Sequence, residues 1–316
     1  MKILSIGSNG LLASSLGIFC QHNAFQIDVL GRSYPRLYHP SKFFIADLTY
    51  VRPKDLDSID FHSYDLIVYA AGAGVQSYRR EDTELIFAVN VTFPISLISH
   101  LKAINYMGTV VTFGSYFEIG NRGDNHDRTE AEIIASLGSV PNDYCVSKRM
   151  LTRFASSYTT PFSYFHLILP TIYAAHESSQ RLIPYTISNI KSGKVGEYTT
   201  GEQIRQYVHA EDVIKTMFTL VSCNASSGIY NVPCGDTMSV KNLVTTIYQT
   251  MGVDLPPNLF GKARRDDREM RDLRLNCSKI MTLCPQLGKR CNSQRIKEYI
   301  LQIVNPSSRK TSASEK

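Results

Sequence analysis

The chain has 316 residues, 43% hydrophobic and 20% charged, the balance of an ordinary globular protein large enough for two domains. Its formal net charge is +6, and its basic cluster at 262–274 (KARRDDREMRDLR) is interrupted by acids and lacks aromatics, which argues against nucleic acid and for a small anionic ligand. With no leader signature, no uninterrupted apolar stretch near the roughly 20 residues that span a bilayer, and seven cysteines in no C-x-x-C spacing, the expectation is a cytoplasmic protein with free thiols, no metal and no membrane partner.

Along the chain, KILSIG, IDVLG, FFIA and DLIVYAAG are short apolar runs rich in β-branched residues, and longer helical stretches fall between them. TVVTFG and FHLILP follow, each after a helical segment, LIFAVNVTFPISLISHLKA and YCVSKRMLTRFASSY. Strand and helix in alternation predict an α/β fold of the doubly wound Rossmann type, a parallel sheet covered on both faces. After Pro170 the pattern loosens into SSQRLIPYTISNIKSGK, the loop TTGEQIRQ and the helical EDVIKTMFTLVS, which reads as a smaller α/β portion. The expected division is a dinucleotide domain over 1–165 plus about 204–223, a substrate domain over 166–203 and 224–305, and a disordered polar tail at 306–316.

The stretch ILSIGSNGLLAS sets Gly7 and Gly10 between the first strand and a helix, with Ala13 in the third small position. Gly7 permits the tight turn and Gly10 lets the backbone approach a pyrophosphate at the helix N-terminus, so a dinucleotide is expected here. Asn9 and Leu11 belong to the same loop. After the second strand comes Arg32, beside Ser33, with no carboxylate until Asp47. An arginine there meets a 2′-phosphate, which favours NADPH (NADP) and leaves NAD as the alternative. Asp47 and Leu48, at the mouth of the third strand, are placed against the adenine, though an Asp in that position also serves to stabilise a turn.

In NDYCVSKR, Tyr144 and Lys148 stand four residues apart and share one helix face. With the Gly loop, GSYFEIG at 114–120 and YCVSK at 144–148, the chain resembles the extended short-chain dehydrogenase/reductases, the sugar-nucleotide epimerases, dehydratases and ketoreductases. YDLIVYAAGAG, NVTFPISLI, GEQIRQYVHAEDV and GIYNVPCGDTMSV extend the resemblance over nearly all of 1–290. It implies that Ala70, Ala71 and Gly72 line the nicotinamide ribose, that Asn90 supports that loop, and that Ser115 orients the substrate oxygen. Tyr144 would be the acid/base, its phenol lowered by Lys148 and by the oxidised nicotinamide, and Lys148 would also bond the ribose. Arg205 would hold the diphosphate of a nucleotide-diphosphate sugar, with Arg265 as a second arginine. A homodimer formed through the helices that contain Asn90 and Tyr144 is also implied.

Departures from the family pattern narrow the reaction. The dehydratases follow the serine position with an acidic pair, where this chain has Tyr116 and Phe117, and Glu118 comes one position late. The epimerase-reductases carry a cysteine where Phe117 stands. Tyr116 and Phe117 are expected to form an apolar wall for a deoxygenated sugar, and Thr171 replaces a nucleotide-binding asparagine. The expected reaction is NADPH-dependent reduction of a 4-keto sugar nucleotide in deoxysugar or O-antigen biosynthesis, most like the reductases that finish CDP-linked dideoxyhexoses. A C4 epimerase holding NAD is the second reading. A 4,6-dehydratase or a non-catalytic dinucleotide-binding regulator follows further behind.

Overall fold

The computed structural model describes residues 1–75, 81–121, 124–263, 270–287 and 292–305. The six apolar runs form strands β1 (Lys2–Ile6), β2 (Gln26–Gly31), β3 (Lys42–Ile45), β4 (Leu66–Tyr69), β5 (Thr109–Ser115) and β6 (Ser163–Leu169). Short strands follow, β7 (Thr171–Tyr173), β8 (Ile204–Arg205), β9 (Tyr207–His209), β10 (Gly228–Asn231) and β11 (Met238–Ser239). The helices are α1 (Leu11–His22), α2 (Thr83–Phe87), α3 (Phe93–Ala103), α4 (Glu130–Ala135), α5 (Asp143–Ser157), α6 (Leu182–Lys191), α7 (Ala210–Ser222), α8 (Val240–Thr250), α9 (Ser278–Leu283) and α10 (Asn292–Val304).

Seven strands form one parallel sheet in the order β10-β6-β5-β4-β1-β2-β3. The alternation of strand side chains splits the core in two. Leu4, Ile6, Ile67 and Tyr69 face a cluster with Leu97, Ile98 and Leu101 of α3, while Ile3, Leu66 and Val68 face one with Leu16 of α1 and Ile214 and Met217 of α7. Strand order reverses between β1 and β4, and parallel sheets bind ligands in the crevice beyond such a switch point.

A separate core unites Tyr173, Ile183, Ile187, Tyr207, Leu243, Ile247 and Ile300, built from α6, α8, α10 and the strands near them. One segment of 224–305 goes elsewhere, a correction to the expected division. β10 is the edge strand of the large sheet, and its Ile229 and Tyr230 are buried in the clusters on that sheet's two faces. The expected tail at 306–316 and Arg265 lie outside the described residues.

Thr83–Ala103 runs as one helix of 21 residues with hydropathy 1.5, long and apolar enough by those measures alone to cross a membrane, contrary to the expectation. Phe93, Leu97, Ile98 and Leu101 instead pack into the core. The helix is interrupted by a π turn, Ala88–Thr92, that contains Asn90. Such turns occur often where a helix serves a site.

Candidate active site

The loop after β1 touches the loop after β4. Gly7 has φ 110°, and a Cβ there would lie 2.7 Å from the Ala71 nitrogen, so any larger residue would be strained and would collide. Gly10 is the N-cap of α1 and lacks a side chain to cap it, and the helix's first turn holds no acidic residue. The first N–H groups of α1 are left for a ligand, and a Cβ at Gly10 would meet only the Ala70 carbonyl, at 3.6 Å. Leu11 opens α1, and its carbonyl is 3.2 Å from the His176 ring. This bare helix start and its glycine approach fit a dinucleotide diphosphate.

Asn9 ties this loop to the one after β2. Its side-chain NH₂ donates to Ser33 Oγ at 3.0 Å and to the Tyr34 carbonyl at 3.2 Å, and its oxygen accepts the Arg36 N–H at 3.0 Å. Arg32 opens that second loop and is exposed. Asp47 stabilises a turn, accepting from the Thr49 N–H at 3.0 Å, and Leu48 is 7% exposed and packs in the core. Ala70 and Ala71 are half-buried and Gly72 is exposed beyond β4. Asn90 pins this loop by accepting the Ala73 N–H and donating to the Ala73 carbonyl, both at 2.9 Å. Its amide also donates to Ser147 Oγ at 3.0 Å, which links the loop to the helix of Tyr144 and Lys148.

That helix, α5, starts at Asn142, whose side chain caps the Cys145 N–H at 3.1 Å. Tyr144 is half-buried and hydrogen-bonded to the Ser115 side chain. Ser115 ends β5 and is 6% exposed. Lys148, 7% exposed, donates to the Phe113 carbonyl at 2.9 Å and lies 5.9 Å from the centre of the Tyr144 ring. Ser115, Tyr144 and Lys148 are therefore brought together. The expected lowering of the phenol by Lys148 is not what this geometry produces. Burial pushes Tyr144 well above the usual range, and the two groups that pull it down are Ser115 and the Arg181 charge. Burial also pushes Lys148 down to about 8, opposed by Glu118.

On the substrate side the polar groups are largely bonded to one another. Tyr116 is fully buried and its hydroxyl is 2.6 Å from Thr171 Oγ1, so of the expected aromatic wall only Phe117, packed edge-on to Tyr116, has surface to offer. Arg205 is 6% exposed, donates to the Ile204 carbonyl at 2.8 Å and lies 5.6 Å from the Phe117 ring centre. The spacing of motifs does not reveal Arg181, which pairs with Glu177 at 2.7 Å and whose charge reaches both Tyr144 and Tyr207. The arginine before the apolar LIPY run is the only signal for it in the sequence. Glu118 was also missed as part of this centre. It is fully buried and accepts the Ser115 N–H at 2.9 Å.

Comparison with known proteins agrees with this architecture. Residues 4–232 match the NAD dependent epimerase/dehydratase family, and the chain belongs to it. It is 23% identical to a CDP-abequose synthase of Yersinia pseudotuberculosis over 250 residues, 76% of this chain and 78% of that protein. Among solved structures it resembles a dTDP-glucose 4,6-dehydratase of Bacillus anthracis in complex with NAD, at TM-score 0.78 and 17% identity, covering 97% of each chain. A UDP-glucose 4-epimerase of Thermus thermophilus with NAD is similar at TM-score 0.78 and 16% identity, covering 96% of this chain and 99% of that one.

Proposed function

We propose that this member of the NAD dependent epimerase/dehydratase family reduces a 4-keto, 6-deoxy sugar nucleotide with NADPH, Tyr144 giving the proton to the carbonyl oxygen. The observation that carries the reading is the turn after Ser115. Tyr116 is closed off against Thr171, Phe117 is apolar, and Glu118 is fully buried. Elimination of water across two sugar carbons needs a placed acid and base, and this turn presents neither. Reduction needs only Ser115 to orient the carbonyl, Tyr144 to protonate it and Lys148 beside them, with the bound dinucleotide supplying the hydride.

Arg32, exposed after β2, supports NADPH over NAD, and the similarity to a CDP-abequose synthase supports a nucleotide-diphosphate sugar. A C4 epimerase holding NAD uses the same Ser115, Tyr144 and Lys148 and is the second reading; a dehydratase and a regulator are less favoured. We place the protein in the cytoplasm as a homodimer joined through α2, α3 and α5, where Val146 is 36% and Met150 46% exposed.

The first experiment is purification and identification of the dinucleotide the protein carries or binds. Protein that arrives empty and takes NADPH well ahead of NADH supports the reductase, and Arg32→Ala then weakens NADPH by about tenfold while sparing NADH. NAD that survives gel filtration overturns that reading in favour of the epimerase.

A further inference from the structure

A chain of buried polar side chains leads from the sheet to the turn that follows Ser115. The Tyr164 hydroxyl is 2.9 Å from Thr112 Oγ1, which is 2.7 Å from His166 Nδ1, and His166 Nε2 is 2.8 Å from Thr152 Oγ1. Glu118 stands at its end. Oε1 accepts the Ser115 N–H, and the Ser115 side chain in turn accepts the Phe117 N–H, a reciprocal cap that shapes the turn. Oε2 is buried without a partner at full hydrogen-bond geometry, and the Thr152 hydroxyl is the side-chain donor that favours its charged form.

Gly114 makes the room. A Cβ there would lie 2.7 Å from both Glu118 Oε1 and His166 Nε2, so the glycine inside β5 admits a carboxyl and an imidazole where any side chain would exclude them. The charged and titratable groups around the carboxyl are Lys148, Arg149, Tyr144 and Cys145 on α5 and His166 on β6. Arg149 donates to the Glu118 main-chain carbonyl at 2.9 and 2.6 Å and to the Gly138 carbonyl at 2.7 Å, locking the turn against α5. Burial keeps His166 neutral. Lys148 is the buried cation in need of a counter-charge.

We propose that Glu118 is a positioning residue for Ser115, Tyr144 and Lys148: its carboxylate holds the Ser115 main chain and keeps the buried Lys148 ammonium protonated. The proposal rests on Tyr144 and Lys148 being the reacting pair, and not on which sugar binds. Desolvation raises Glu118 to about 7 and lowers Lys148 to about 8, and each opposes the shift of the other. Removing the carboxylate charge leaves the desolvation of Lys148 unopposed, so the ammonium loses its proton at lower pH.

The test uses the full chain with isotopically labelled lysine, following the Lys148 ammonium resonance through a pH titration and assigning it with Lys148→Met. Glu118→Gln, which keeps the size and an acceptor for Ser115, is expected to lower the Lys148 midpoint by about one pH unit or more. An unmoved midpoint overturns the proposal. Should that variant not fold, Thr152→Val removes the hydroxyl that favours the charged carboxylate and is expected to lower the midpoint by a smaller amount, and a midpoint that stays or rises overturns the proposal. No substrate is needed, so failure to turn over any keto-sugar leaves this result readable, and turnover with an unmoved midpoint sinks the role of Glu118 alone.

Discussion

The loop after β1 and the turn after β5 both lie at strand ends of one parallel sheet, and they are built by different means. In the first, the working groups are backbone. Gly7 turns where no other residue turns without strain, Gly10 leaves the first N–H groups of α1 uncapped, and Asn9 and Asn90 hold neighbouring loops through main-chain bonds. In the second, the working groups are side chains, and most are bonded to other side chains or their own backbone. Tyr116 meets Thr171, Arg181 meets Glu177, Arg205 meets the Ile204 carbonyl, and Lys148 meets the Phe113 carbonyl. A backbone site tolerates variation of everything except its small residues, whereas a side-chain site changes its chemistry with each partner exchanged.

The largest effect that would break this contrast is at Tyr144. If it belongs to the reacting side alone, Tyr144→Phe lowers turnover of a 4-keto sugar nucleotide by roughly 10²–10⁴-fold. Fluorescence titration then gives an NADPH Kd within about twofold of the parent, since the phenol hydroxyl bonds Ser115 and no loop of the cradle. A comparable loss of NADPH affinity would show that the hydroxyl serves both halves.

Next in size is Gly7→Ala. The methyl group would sit 2.7 Å from a backbone nitrogen at a φ of 110°, two costs that cannot both be relieved by side-chain motion. Unfolding in denaturant is expected to show about 2–4 kcal/mol of destabilisation together with loss of dinucleotide binding. A loss below about 0.5 kcal/mol would mean that the loops after β1 and β4 do not depend on this contact.

The contrast also explains what the sequence discloses. The alternation of apolar runs and helices predicts all six large-sheet strands before Pro170, because parallel strands covered on both faces must be apolar nearly throughout. Gly7, Gly10, Asn90, Ser115, Tyr144 and Lys148 are legible because each depends on local backbone shape or one helix face. The roles of Tyr116, Arg205 and Glu118 are not. Whether Tyr116 faces a sugar or the core is decided by Thr171, 55 residues on, and whether a carboxylate one place late faces the ligand or the core is decided by Gly114, Thr152 and Lys148. β10 was assigned to the smaller unit for a similar reason, since only its pairing with β6 reveals its place.

Tyr116→Phe is the smallest change and the most discriminating for the substrate side. The ring fills the core and packs edge-on against Phe117 at 5.1 Å, and neither contact needs the hydroxyl. Removing it deletes one hydrogen bond, and Thr171, being half-buried, can recover a water as partner. The net loss is about 1 kcal/mol of stability, with KM changed by less than roughly threefold. A tenfold rise in KM at unchanged stability would instead mean that the hydroxyl turns from Thr171 to the sugar when substrate binds. The substrate side would then be a set of bonds exchanged on binding, while the cradle would remain as fixed as its glycines make it.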